Sequence, residues 1–358
     1  MRRQDQDWLL EAVRRWRSLT FLLGLSAVAL SWACAPALAA GEGKGITVEG
    51  NRLVKDGQPW IPKGFSLVSF VAPEAVLSAV NKEARSSYGP QLLDRARSLG
   101  ADLLRFQVSQ AGLDPQTSIY DPNYLAQVTA AVKQARDKGF TVIVSMQWEP
   151  PSGLNGQPNM PSDITRRAWS VLARPFADDK YVMLELFNEP AMKPSNPEAW
   201  PTWKSDMQSV VDLVRRNGAQ NTLLLDGLRS ARYLKDAPQV NDPLHKLAYA
   251  VHPYIDNVIH GPADWTRDFG NFAAHHPVLV TEWNATAKLE ECSADMPQVS
   301  RELIAYLKER QIGLVLWAFD LRKTLFDDSG KPLEFKDFQC GKWGAGAAHV
   351  ALEYFRSN

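Results

Sequence analysis

Cysteine is scarce in this chain, with three among 358 residues. Neither Cys292 nor Cys340 lies in a Cys-x-x-Cys pair or a histidine-rich cluster, which removes the usual basis for a structural zinc site. An excess of charge is missing too. Forty Lys and Arg balance forty Asp and Glu, so no global field draws in nucleic acid or an anionic membrane. No internal repeat, low-complexity tract or interdomain linker follows the N-terminal segment, and no Gly-rich phosphate loop follows the first strand-like run. What remains is 45% hydrophobic and 22% charged, the balance of an ordinary globular protein, at a length that α/β barrels reach as one domain.

The first residues belong to a targeting segment. Arg2, Arg3, Arg14, Arg15 and Arg17 precede an apolar run from about Leu19 to Ala35, followed by Ala37-Leu38-Ala39. A basic region, an apolar region and small residues at a cleavage position read as a secretory signal peptide, here residues 1–39, ahead of a single domain at 40–358. A secreted or periplasmic protein without stable membrane association is expected. An uncleaved anchor is the alternative, weakened because the run is short for a membrane span, and a lipoprotein reading of Cys34 is weaker still. Cleavage after Ala39 leaves 35 basic and 37 acidic residues, and one pair of cysteines. In an exported protein that pair, Cys292 and Cys340, reads as a disulfide tying the loop after the Glu282 strand to the C-terminal region, with two free thiols as the other option.

Past the signal, Ile46–Val54 reads as a short β-hairpin turning at Gly50-Asn51. Eight apolar runs then follow, near Trp60–Phe65, Asp102–Val108, Thr141–Gln147, Tyr181–Phe187, Asn221–Asp226, Leu247–His252, Val278–Glu282 and Ile312–Trp317. Between them come helical stripes, clearest over Pro122–Gly139, Trp203–Gly218 and Met296–Gln311. Gly100, Gly139, Gly218 and Gly313 stand between helix and strand, where a left-handed residue ends a helix. Eight strand–helix units predict an α/β fold, a single (β/α)8 TIM barrel with the hairpin in front.

Active sites of such barrels lie where the strands end. Here the ends carry Arg105, then Gln147 and Trp148, then Asn188-Glu189, then His252 and Tyr254, then Glu282, then Trp317. Glu189 is singled out because an apolar strand stops abruptly at Asn188-Glu189-Pro190, and proline cannot continue a sheet ladder. Buried charge is costly unless paired, and Glu282 at another strand end supplies a second carboxylate. Two carboxylates among aromatic side chains point to hydrolysis of a glycosidic bond. Of the other acids, Glu185 reads as a deeper structural partner and Glu149 as a surface residue.

Asn188-Glu189-Pro190, Val251-His252-Pro253-Tyr254, Thr281-Glu282-Trp283 and Leu316-Trp317, in that order with Arg105 upstream, resemble glycoside hydrolase family 5, the cellulase-type clan of retaining (β/α)8 enzymes. The resemblance implies that Glu189 is the acid/base and Glu282 the nucleophile. It implies that Asn188 holds the sugar 2-hydroxyl, that Arg105 and Tyr254 keep Glu282 ionised, that His252 tunes Glu189, and that Trp317 floors the cleavage subsite. Gln147 stands where the family commonly has histidine, and Gln147 and Trp148 are expected among the substrate contacts.

The expected protein is a monomeric retaining endo-β-1,4-glucanase acting on polysaccharide, needing neither metal nor other cofactor. A β-mannanase or another β-glucanase is the alternative within the family. A non-catalytic carbohydrate-binding barrel is the alternative of another class.

Overall fold

The computed structural model describes residues 44–255, 259–285, 295–334 and 347–357, all within one compact unit, Glu42–Asn358. The signal segment, Cys292 and Cys340 lie outside the described residues.

Strands β1 (Ile46–Glu49), β2 (Arg52–Lys55) and β3 (Gln58–Pro59) form a small antiparallel sheet; the third strand extends the expected hairpin. The eight apolar runs become β4 (Lys63–Leu67), β5 (Leu103–Ser109), β6 (Thr141–Gln147), β7 (Val182–Glu185), β8 (Leu223–Asp226), β9 (Leu247–Val251), β10 (Val278–Trp283) and β11 (Gly313–Leu316). They pair in parallel and close in the order β10-β11-β4-β5-β6-β7-β8-β9, the barrel expected from the alternation.

Period-two alternation divides each strand between the barrel lumen and the helical layer. Leu103, Ile143, Met183, Leu224, Ala248, Leu279 and Val315 fill the lower lumen, where Ile46 and Leu53 of the hairpin pack against them. The hairpin is therefore a plug. Two residues further along these strands the lumen turns polar, with Arg105, Ser145, Glu185, Asp226 and Thr281 all fully buried. Strand β10 departs from the alternation: its register with β11 shifts between Val280 and Trp283. An irregularity of this kind re-aims side chains. Thr281 and its neighbour Glu282 both bond to lumen groups as a result.

Helices 124–137, 199–216 and 296–309 cover the three stripes seen in the sequence. Two tryptophans fasten the helical layer to the strand ends. The indole N–H of Trp169, on helix Asp163–Leu172, donates to the Leu186 carbonyl at 2.8 Å. That of Trp203 donates to the Asp226 carbonyl at 2.8 Å. Gly100, Gly139 and Gly218 take the left-handed conformation expected at helix ends. Gly313 does not. Gln311 (φ 55°) holds that role, and Gly313 is needed for space, because a Cβ there would sit 2.6 Å from the Pro62 carbonyl oxygen.

Candidate active site

Arg105 is the hub of the upper lumen. Its guanidinium is fully buried and donates from all three nitrogens. Nε and Nη2 grip Glu185 at 2.7 and 2.8 Å, Nη1 reaches Glu282 Oε2 at 2.7 Å, and Nη2 also reaches Asn188 Oδ1 at 2.6 Å and Ser145 Oγ at 2.9 Å. Burial disfavours the charge, but Glu185 and Glu282 outweigh it and keep the guanidinium protonated. Burial likewise disfavours the Glu185 anion, and Arg105 reverses that, drawing its pKa below the usual carboxylate range.

Glu282 collects three donors. Beside Arg105, Gln107 Nε2 donates to Oε2 at 3.0 Å and the Tyr254 hydroxyl donates to Oε1 at 3.0 Å. Burial and then the Glu282 charge push the Tyr254 phenol well up, so it stays a donor at any ordinary pH.

Glu189 sits on a left-handed residue (φ 52°) just past the end of β7, with its side chain 23% exposed, the most open carboxyl of the cluster built around Arg105 and His252. Its Oε1 lies 2.9 Å from Nδ1 of buried His252, whose Nε2 lies 2.9 Å from Thr281 Oγ1. The Thr281 hydroxyl donates to Glu185 Oε1 at 3.3 Å, so it must accept from His252 Nε2–H. Oxygens of Glu189 and Glu282 and a nitrogen of His252 all lie within 4.8 Å of one another.

The structure thus brings Arg105, Asn188, Glu189, His252, Tyr254 and Glu282 to one mouth. Gln147 is buried beside them, its amide donating to Ser145 Oγ at 2.9 Å. Trp148 stacks on Phe187, with 6.1 Å between ring centroids, and donates to the Asn188 carbonyl at 2.9 Å, so much of it supports the loop. Trp317 is half-buried and borders a recess of about 360 Å³ lined by Val80, Glu83, Leu321 and Arg322.

Gln107, Asp226 and Glu149 are additions to the sequence reading. The first two were visible as lumen-facing or strand-end polar residues, but their partners were not. Glu149, read as a surface acid, instead turns into the mouth and accepts from Asn188 Nδ2 at 3.0 Å.

Residues 74–322, more than half of the chain, match the family model for cellulase, glycosyl hydrolase family 5. The chain belongs to that family. A curated relative, the manganese dependent endoglucanase Eg5A of Phanerodontia chrysosporium, is 28% identical over 175 residues, spanning 45% of this chain and 44% of that protein. Among solved structures, the β-glucanase of Saccharophagus degradans with cellotetraose superposes at a TM-score of 0.66 (20% identity, 87% of this chain and 94% of that one). The catalytic domain of a Thermobifida fusca endoglucanase follows at 0.61 (19%, 88% and 98%) and a Thermomonospora fusca β-mannanase at 0.55 (18%, 77% and 84%). These structures share the fold. The chain is thus a cellulase-type glycoside hydrolase.

In this family 5 hydrolase the third carboxyl at the mouth has a measurable signature. Burial first, and the Glu189 charge second, push Glu149 up from 4.5 to about 8. Between those values the folded protein holds a proton that the unfolded chain releases, so stability falls as pH rises across the window. Thermal midpoints are expected to decline from about pH 5 to about pH 8, and Glu149→Gln to flatten that decline. An equal slope in the variant would remove the assignment.

Proposed function

We propose that this family 5 member is a secreted, retaining endo-β-1,4-glucanase, with Glu282 as nucleophile and Glu189 as acid/base. The observation that carries the reading is the pair's separation. A carboxyl oxygen of each lies within 4.8 Å of one on the other, the close approach that a double displacement calls for.

Glu282 attacks the anomeric carbon from a carboxylate whose two oxygens are held by Arg105, Gln107 and Tyr254. The leaving oxygen takes its proton from Glu189. His252 orients that carboxyl through Oε1 and leaves Oε2 for the substrate. Glu189, now ionised, then activates the water that releases the sugar from Glu282. Asn188 meets the 2-hydroxyl: Arg105 and Glu149 orient its amide, and the second Nδ2 hydrogen is left for the sugar. Trp317 offers an aromatic face, and the recess beside it takes the neighbouring sugar.

The manganese dependence named for the Phanerodontia chrysosporium relative belongs to that protein. Two donor triads occur among the described residues of this chain, Glu185/Asp226/His252 and Glu189/His252/Glu282. In each triad the His252 nitrogens already meet Glu189 and Thr281, and one glutamate, Glu185 or Glu282, is held by Arg105. A resident cation would have to displace the Arg105 guanidinium, so the residues present do not fit one, and no step is assigned to it.

Chelator-treated protein is expected to hydrolyse barley β-glucan or carboxymethyl cellulose with rapid loss of viscosity and with retention of the β-anomer in the first products. Preference for a soluble mannan would make it a β-mannanase. Binding to these polymers without turnover, unchanged in Glu189→Gln, would make it a carbohydrate-binding barrel. Loss of activity on chelation, restored by manganese, would overturn the metal-free mechanism.

A further inference from the structure

Asp226 ends β8, the strand between those that carry Glu189 and His252. It is fully buried, and its Oδ2 accepts the backbone N–H of Glu189 at 3.0 Å. That N–H belongs to a residue in the left-handed region, a conformation unfavourable for a non-glycine side chain and kept only where its surroundings enforce it.

The chain after Asp226 continues the support. Arg229, Ser230 and Ala231 are three consecutive left-handed residues (φ 56°, 54° and 57°). From this turn the Ser230 N–H donates to the Pro190 carbonyl at 3.0 Å and the Arg229 N–H to the Met192 carbonyl at 3.1 Å. On its other side the turn's Ala231 carbonyl accepts the His252 N–H at 2.8 Å. One short segment therefore holds Glu189, the two residues that follow it in contact, and the histidine that orients its carboxyl.

The second oxygen of Asp226 says in which form it does so. Oδ1 is buried and meets no hydrogen-bond donor. Asp226 and Glu185 bring carboxyl oxygens within 4.8 Å of each other, and Arg105 keeps Glu185 ionised, so an ionised Asp226 would place two like charges together with one oxygen unsatisfied. A proton on Oδ1, donated to Glu185, removes both costs.

We propose that Asp226 is the positioning residue of the acid/base: as a neutral acid it anchors the Glu189 backbone through Oδ2 and is itself anchored to Glu185 through the proton on Oδ1. The proposal rests on Glu189 being the acid/base. It goes beyond that reading by making proton delivery depend on a side chain that never meets the sugar.

The test is a series of aryl β-cellobiosides, from phenyl, which needs a proton to depart, to 2,4-dinitrophenyl, which does not. Asp226→Ala is expected to lose about 100-fold in kcat/KM on the phenyl substrate and less than about threefold on the dinitrophenyl one, the signature of misplaced general acid catalysis. Asparagine can accept from the Glu189 N–H and donate to Glu185, so Asp226→Asn should keep the wild-type dependence on the leaving group. If the alanine variant fails to fold, Asp226→Leu keeps the volume, lacks the acceptor, and should show the same steepened dependence. Equal losses across the series in the alanine or leucine variant would reduce Asp226 to a structural role. A steepened dependence in Asp226→Asn would overturn the neutral form. Glu189→Ala on the same series separates this inference from the reading beneath it. If that variant shows no steepening, the assignment of Glu189 fails; if it steepens while Asp226→Ala does not, the positioning role fails.

Discussion

Glu282→Ala is expected to lower turnover of a soluble β-glucan by a factor on the order of 10⁵, since it removes the group that forms the covalent intermediate. The size follows from the surroundings. Arg105, Gln107 and Tyr254 aim three donors at one carboxylate, and alanine leaves them facing a gap with nothing to present to the sugar. That gap suits a small anion. Azide should restore part of the rate on an activated aryl substrate and yield the α-glycosyl azide, having attacked from the nucleophile's side. Glu189→Ala should lose about 10²- to 10⁴-fold on unactivated substrate, the usual share of general acid–base catalysis. Its azide product should be the β-glycosyl azide, formed on the opposite face of the intermediate. Product configuration by proton NMR decides the matter. The reverse assignment of anomers would exchange the two roles.

The second large effect is on stability. Arg105→Met should cost about 3–5 kcal/mol, because it leaves Glu185 and Glu282 charged and unpaired in the interior. Arg105→Lys is expected to recover little, since one ammonium cannot serve Glu185, Asn188, Ser145 and Glu282 together. Adding Glu185→Gln to Arg105→Met removes one stranded charge and should restore part of the stability but no activity. Urea unfolding at pH 7 measures all three, and a cost below about 1 kcal/mol for Arg105→Met would contradict the buried pairing. The same pairing sets an acid limit. The pKa of Glu185 is drawn down on folding, so its contribution is present above about pH 4.5 and is lost as pH falls through the folded value.

The barrel was legible in the sequence because it is made by alternation, a local pattern repeated eight times. Glu189 and Glu282 were legible because a charge at the end of an apolar strand stands out against its neighbours. What could not be read was anything decided by contacts across the barrel. Asp226 looks like an ordinary strand end until β7 and β8 are side by side and its carboxyl meets a backbone N–H rather than a side chain. Gln107 lies inside an apolar run, and its use depends on Glu282 arriving from 175 positions away. Glu149 was misplaced because a proline-bounded loop ordinarily faces water, whereas here Asn188 draws the carboxyl inward. Gly313 was given a conformational role from its position, and its reason proved to be the nearness of Pro62.

The slip in β10 has a further consequence. In a regular strand Thr281 and Glu282 would face opposite ways, and a carboxyl at 282 would meet the greasy flanks of helices where no donor waits. The chemistry of this enzyme therefore depends on a phase error of one residue between Val280 and Trp283. Copying the Val278–Trp283 letters onto an unslipped strand of another barrel would carry the glutamate over and lose the nucleophile. What has to be inherited is the offset.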